Sequence, residues 1–382
     1  MSCAKSRRAN PLPSLPADLV RAVGLFAINS IEEWHLLRLV DRHFRNAMTH
    51  RLMLSRILLQ LESPATLSKL GALLKGVRHL QLSTLSTSHH DFRSLTSLRT
   101  LTLSGCDSLR TVDCLQLPST LRTLDLSFCT SLQCLHGLGE LAELRSLDLA
   151  FVHGFGGRLP ALPTSLRELG LSFSNITDLG VVQNLPNLTR VDLSGCSELS
   201  DTMLTNLAAL TKLTDLNLTG CARLRDLAPL GALTSLRALN LSNSQIQDLR
   251  PLSSMASLSR LELANCDRVL SLAGIPLVEV LNLNFCPATR AGLSLASEMA
   301  NVRELHLAGD QVPDLCAVAA APKLERLHVW TCERLVDSSL NSLHALPCLK
   351  LFDVYQCDGI TTAGLRRLAA SHAGLRINFR CA

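Results

Sequence analysis

Residues Leu188 to Cys196 read LTRVDLSGC, with apolar side chains at the first, fourth and sixth places and cysteine at the ninth. The same nine-residue frame recurs from Val77 to Cys357. Thirteen copies begin at Val77, Leu98, Leu121, Leu144, Leu166, Leu188, Leu213, Leu236, Leu258, Val278, Val302, Leu324 and Leu349, at intervals of 20 to 25 residues. Positions four and six alternate with three, five and seven. A short strand therefore turns Leu101 and Leu103 to one side and Thr100, Thr102 and Ser104 to the other. One such strand cannot bury its apolar side alone. Stacked in parallel at about 4.8 Å per strand, thirteen of them line a curved sheet on the order of 60 Å long over one leucine core.

Written LxxLxLxxC, the frame is similar to the signature of a leucine-rich repeat, which implies an α/β solenoid: a horseshoe with a parallel concave sheet. The repeat types are mixed. CSELSDTMLTNLAAL, from Cys196, and CDGITTAGLRRLAAS, from Cys357, have the longer apolar pattern expected of a convex helix. They resemble the cysteine-containing repeats often joined to F-boxes. SQIQDLRPLSSM, from Ser244, and CARLRDLAPLGAL, from Cys221, resemble the shorter phosphatase-regulatory type, with Pro favouring a tight turn. The stretch from His153 to Arg158, HGFGGR, belongs to the least regular copy, where a kink or an irregular convex loop is expected.

Composition agrees with a repeating leucine core: the 382 residues are 47% apolar but only 3% aromatic. A solenoid grows by addition, so this length counts repeats rather than domains. No run of 18 apolar residues exists, and the opening MSCAKSRRANPLPS lacks a hydrophobic signal core, which predicts an intracellular, cytoplasmic protein. Lys5, Arg7 and Arg8 give at most a weak nuclear signal. Of 14 cysteines, eight (Cys106, Cys129, Cys196, Cys221, Cys266, Cys286, Cys332 and Cys357) fall on the ninth repeat position. They read as small buried side chains under the turn that leaves each strand, kept as free thiols by a reducing compartment. There is no CxxC, and neither a metal site nor a cofactor is expected. His89-His90-Asp91 is the one ligand-like cluster and reads as a solvated loop. Asn-x-Ser/Thr matches at Asn175, Asn187, Asn217 and Asn240 read as by-products of the repeat.

The first 76 residues are organised differently. Residues 1–10 read as a disordered basic tail. Residues 11–50 carry two amphipathic helices: Leu15-Pro16 with Asp18 suits a helix start, Leu19, Val23 and Phe26 share a face, and after a loop at Asn29-Ser30 the residues Leu37, Val40, Phe44 and Met48 form a second stripe. This segment resembles an F-box, through Leu15-Pro16, Asp18-Leu19, Val23 and Val40-Asp41-Arg42-His43-Phe44-Arg45. The spacing between its halves is about two residues longer than the family's, and Asp41 stands where the family has Cys. The resemblance implies docking on a Skp-type adaptor linked to a cullin, with Leu15, Pro16, Leu19, Val23, Val40 and Phe44 as anchors. The competing reading is that these helices only cap the solenoid. Residues 51–76 read as a helical linker and N-terminal cap, with Ser63-Pro64 opening a helix that Gly76 closes. Residues 77–382 are the solenoid.

Charge separates the two parts. Residues 1–76 hold 11 Lys/Arg against 5 Asp/Glu, whereas residues 77–382 hold 26 against 27. A basic helical module suits an acidic protein partner, and without an aromatic stacking platform nucleic acid is the weaker alternative.

No GxxxxGK, GxGxxG, HExxH or GxSxG motif is present, so no enzyme is expected. Asp125, Asp148, Asp192, Glu262 and Asp353 recur at the outward fifth position, with Asn217, Asn240 and Asn282 in equivalent places, and read as a solvated column set by the repeat. Two function classes remain: the substrate-recognition subunit of a Skp-cullin-F-box ubiquitin ligase, or a non-ubiquitin scaffold of phosphatase-regulatory or cytoskeletal type. In either, a protein partner is expected on the concave face. Trp330 and Tyr355, two of the three Trp and Tyr residues, share the seventh position of consecutive repeats, with His306 and His328 on the adjoining column. A second candidate is the eighth-position column Phe128, Phe151 and Phe173.

Overall fold

The computed structural model describes residues 27–28, 57–59, 76–82, 85, 90–291, 299–309, 312–372 and 374–380. Fourteen strands from His79–Leu82 to Arg376–Arg380 form one open parallel sheet in strict chain order. Two short strands precede them at the edge, Ala27–Ile28 and Ile57–Leu59, giving sixteen among the described residues. Each repeat pairs with the next in the same register: Leu216 stands opposite Val191 on one side and Leu239 on the other. The fourth position is therefore a continuous column, and so is every other.

The expected inside-outside alternation holds. The first, fourth and sixth residues of all thirteen copies are buried, Leu188, Val191 and Leu193 among them, in a single core. The eight ninth-position cysteines are buried and free. Their thiols do more than fill space: each of several donates to the sixth-position carbonyl one repeat back, Cys129 to Leu103 O at 3.2 Å, Cys196 to Leu171 O at 3.1 Å and Cys221 to Leu193 O at 3.2 Å. Each of these carbonyls also accepts a backbone N–H within its own turn, so the buried thiol adds a second, weaker donor to it.

The convex side is mostly 3-10 turns rather than helices. The two copies read as helical are so: Asp201–Leu204 is one α-turn running into a 3-10 stretch at Thr205–Ala209, and Thr362–Ser371 is an α-helix capped by the Thr361 hydroxyl. The two proline-bearing copies make 3-10 helices at Ala228–Ala232 and Arg250–Ser254, each with Pro in its first turn. In the irregular copy, Gly156 and Gly157 both take left-handed φ, and a Cβ on Gly157 would stand 2.6 Å from Asn175 O.

Several expectations change. A fourteenth copy ends the sheet at Arg376–Arg380, its first position being Gly374 rather than an apolar residue. The strand Ala27–Ile28 lies inside the stretch read as a two-helix module, and Ile57–Leu59 inside the helical linker; both pair into the sheet instead. The anchor positions Leu15, Pro16, Leu19, Val23, Val40 and Phe44 lie outside the described residues. His90 is not on a solvated loop: it is buried beside Phe92, ring centroids 6.3 Å apart, and its backbone N–H donates to Cys114 O. The backbone at His90 and Phe92 bonds to Cys114 O and Leu115 O of the next repeat, which is why His90 leaves solvent while Asp91 stays exposed.

Candidate functional site

Three groups of side chains mark the concave sheet and its rim. The first is the eighth position, where the chain turns off the strand. From Gly105 to Gln356 every residue there has a left-handed φ, between 50° and 92°. The turn needs it: Phe128 N–H reaches Ala150 O in the next repeat at 2.8 Å, and Cys129 N–H then turns back to Leu126 O. Glycine and asparagine fill the position at Gly105, Gly195, Gly220, Asn243, Asn265 and Gly309, as the steric cost predicts.

Phe128, Phe151 and Phe173 occupy it instead, at φ 59°, 59° and 53°. Their rings stack in series, with centroids 4.5 and 4.7 Å apart and planes within 14°. Phe128 and Phe173 are each 49% exposed. Three bulky residues in this conformation cost about 1–2 kcal/mol each, while two stacked contacts return about 0.5–1.5 kcal/mol each. Stacking alone does not offset the strain. The ladder is therefore a partly exposed aromatic ridge at the rim of the sheet, held in place by the fold around it.

The second group lies at the centre of the sheet, a shallow groove of about 500 Å³ lined by Asp148, Glu168, Arg190, Asp192, Asp215 and their neighbours. Gly170 takes the fifth position here, and the missing side chain opens the floor: a Cβ would stand 2.7 Å from Asp148 Oδ1. Arg190 bridges Glu168 at 3.2 Å and Asp215 at 3.8 Å. The acidic column is not merely solvated. Asp125, Asp148 and Asp192 each accept the backbone N–H two residues on, at 2.9 Å, and Asn217, Asn240 and Asn282 do the same with their amide oxygens. This local bond brings the chain off the strand, and either side chain can make it. Burial, followed by the charges of Asp125 and Asp192, raises the Asp148 carboxyl above its ordinary value. A perturbed carboxyl here is a product of the column's crowding.

The third group is C-terminal. The longer strands Arg326–Trp330 and Leu351–Tyr355 set Trp330 opposite Tyr355, and the two side chains are 41% and 40% exposed. Trp330 meets His306 edge to face at 6.4 Å, and His306 stacks on His328 at 4.3 Å. Glu304 Oε1 lies 3.0 Å from His306 Nε2, Arg326 pairs with Glu304 Oε2 at 2.9 Å, and His328 Nδ1 is 2.7 Å from Asp353 Oδ2. Burial and the charge of His306 lower the His328 pKa against the opposite pull of Asp353 and Glu304.

A sequence model described as a leucine-rich repeat matches residues 163–182. No curated relative matches this sequence. Among solved structures, an internalin of Listeria monocytogenes is 18% identical, with 88% of this chain and 93% of that one covered at a TM-score of 0.55. The chain has the leucine-rich-repeat fold. A leucine-rich-repeat protein of Leptospira interrogans is 17% identical over 85% of this chain and 90% of its own, with a TM-score of 0.53. The mouse RP105/MD-1 complex contains a chain that is 20% identical, with 85% of this chain and 59% of that one covered, at a TM-score of 0.62. At these identities the likeness is one of fold. It extends the repeat architecture well past the matched segment.

Proposed function

We propose that this leucine-rich-repeat protein is a binder rather than an enzyme, and that it seats a protein partner on its concave sheet against the Phe128–Phe151–Phe173 ridge. The ridge carries the reading. Aromatic side chains, phenylalanine included, are enriched at protein interfaces; Phe128 and Phe173 are each 49% exposed, and all three rings sit in a conformation that costs stability. Trp330 and Tyr355 supply a second aromatic anchor at the far end of the same face. The mouse RP105/MD-1 complex, as its name states, pairs a protein of this fold with a protein partner.

The finer reading is a substrate-recognition subunit of a Skp-cullin-F-box ubiquitin ligase acting in the cytoplasm. It rests on the F-box-like residues Leu15-Pro16, Asp18-Leu19, Val23 and Val40 to Arg45 and on the basic charge of residues 1–76. Affinity capture with the full chain tests both levels. Pro16→Ala with Phe44→Ala should lose a Skp-type adaptor and cullin while keeping the partner. Trp330→Ala with Tyr355→Ala, or Phe151→Ala, should keep the adaptor and weaken the partner by about 30-fold, corresponding to about 2 kcal/mol. Partner without adaptor in the wild type leaves a non-ubiquitin scaffold. A partner indifferent to both aromatic sets overturns the concave site.

A further inference from the structure

The C-terminal cluster has the donor set of a cation site. We propose that Glu304, His306 and His328 bind one divalent transition-metal ion, with zinc as the best fit. One ligand atom from each of these residues lies within 4.8 Å of the others. Glu304 Oε1 is 3.0 Å from His306 Nε2 and 4.0 Å from His328 Nε2. Three donors at about 2.0–2.2 Å from a tetrahedral ion stand about 3.4 Å apart, so the separations are within reach once the two imidazoles, stacked at 4.3 Å, turn to aim their nitrogens at one ion.

Two features beyond proximity point to a ligand. His328 Nε2 is buried without a hydrogen-bond partner, an orphaned nitrogen facing the Glu304 carboxylate. The other ring nitrogen, Nδ1, faces Asp353 Oδ2 at 2.7 Å, and Asn378 Nδ2 in turn donates to Asp353 Oδ1 at 2.6 Å. A carboxylate on the far nitrogen fixes the tautomer that leaves Nε2 bare and raises its basicity, the outer support that histidine ligands of metals characteristically have. Arg326 holds the other oxygen of Glu304. Two imidazoles with one carboxylate select zinc, copper, nickel or iron over calcium and magnesium, which take oxygen donors. A fourth tetrahedral position stays open, as in exchangeable rather than closed structural sites. The inference is independent of any partner on the aromatic ridge.

One rival exists among the described residues: Asp113, Cys134 and His136 also bring three donors together. That group contains a thiol, and cobalt distinguishes the two. Titrating the chelator-treated full chain with Co²⁺ should give one saturable equivalent with weak visible bands, no thiolate-to-cobalt charge-transfer band, and displacement by Zn²⁺. His328→Gln and Glu304→Gln should each abolish it with the circular dichroism unchanged, and Asp353→Asn should weaken it about 10–100-fold. Cys134→Ala should leave it intact. Absence of saturable binding in the wild type, or a charge-transfer band that survives His328→Gln and disappears with Cys134→Ala, overturns the assignment.

Discussion

The ring of Phe173 lies over Gly195, so closely that a Cβ on the glycine would stand 2.5 Å from Phe173 Cδ1 and 2.8 Å from Cγ. Gly195 also has φ +68°, so alanine there meets a backbone cost as well as a ring. Gly220 occupies the same place one repeat on, at φ +72°, where a Cβ would meet only Gly195 backbone atoms at 3.8 Å. Gly220→Ala should therefore cost the left-handed penalty alone, about 1–2 kcal/mol, and Gly195→Ala clearly more. Adding Phe173→Ala should remove that excess at Gly195 and leave Gly220→Ala unchanged. Urea titration of the singles and doubles measures the coupling. Equal costs at the two glycines would show that the ring does not rest there.

The leucine ladder predicts a different scale. Leu216 and Leu239 are 2% and 1% exposed, and either one changed to alanine leaves a cavity that neighbouring repeats cannot fill, at about 2–5 kcal/mol. Cys221→Ala should cost less, because it removes a small side chain and one thiol hydrogen bond to Leu193 O. Burial pushes the Cys221 thiol up to about 12, so native maleimide labelling should reach the exposed Cys316 and Cys348 and spare Cys221 until denaturant is added. Reductant should leave the melting temperature where it was.

Most of this architecture was legible because one rule is repeated. A frame with Leu at three fixed places sets strand, register and core together, and Leu188, Val191 and Leu193 behave as the pattern says. The fourteenth strand escaped the rule because Gly374 carries no apolar side chain at the first place, although Ile377 and Phe379 keep the alternation. The left-handed eighth position was also written in the chain, in Gly105, Gly195 and Gly220, but three phenylalanines interrupt that signal and hide their own strain. The Glu304–His306–His328 group was half visible. Two histidines on one column follow from spacing, whereas Glu304 at the third place joins them only because its side chain leans across to the fifth-position column. Predominant 3-10 turns were unreadable from apolar spacing, since a single turn repeats too little to set a period.

Asp148 offers a test by pH. Its carboxyl is raised by burial and by Asp125 and Asp192, so ionising it is less favourable in the folded chain than in the unfolded one. This opposes folding at neutral pH, and the penalty fades as the pH falls through the folded value to below the unfolded one. Asn keeps the bond to the Ala150 N–H, as Asn217 does to Thr219. Asp148→Asn should thus stabilise at pH 7 by a small amount, on the order of 0.5 kcal/mol, with the gain shrinking between pH 6 and pH 3. Melting curves across that range check it. A gain that grows towards acid would reverse the sign of the argument.

Phe285 separates strain from function at the eighth position. It has φ 55° and is 45% exposed, like the ridge residues, but its ring rests on Gly309, where a Cβ would stand 2.6 Å away, rather than on another aromatic. Asn is the native choice two repeats earlier at Asn243 and one repeat earlier at Asn265. Phe285→Asn therefore gives up partial burial worth about 1 kcal/mol and relieves backbone strain of about 1–2 kcal/mol, so its net effect should lie within about 1 kcal/mol of zero. Phe151→Asn relieves the same strain but loses stacking on both sides, at 4.5 and 4.7 Å, and should be destabilising by about 1–2 kcal/mol. Both costs fall well short of the loss expected for a buried phenylalanine, about 3–5 kcal/mol. If the ridge exists for a partner, the two variants must then diverge in binding far more than in stability. Phe151→Asn should weaken the captured partner by about 30-fold while Phe285→Asn leaves it unchanged. A Phe151→Asn protein that unfolds like a core mutant yet binds normally would make the ridge a part of the fold instead.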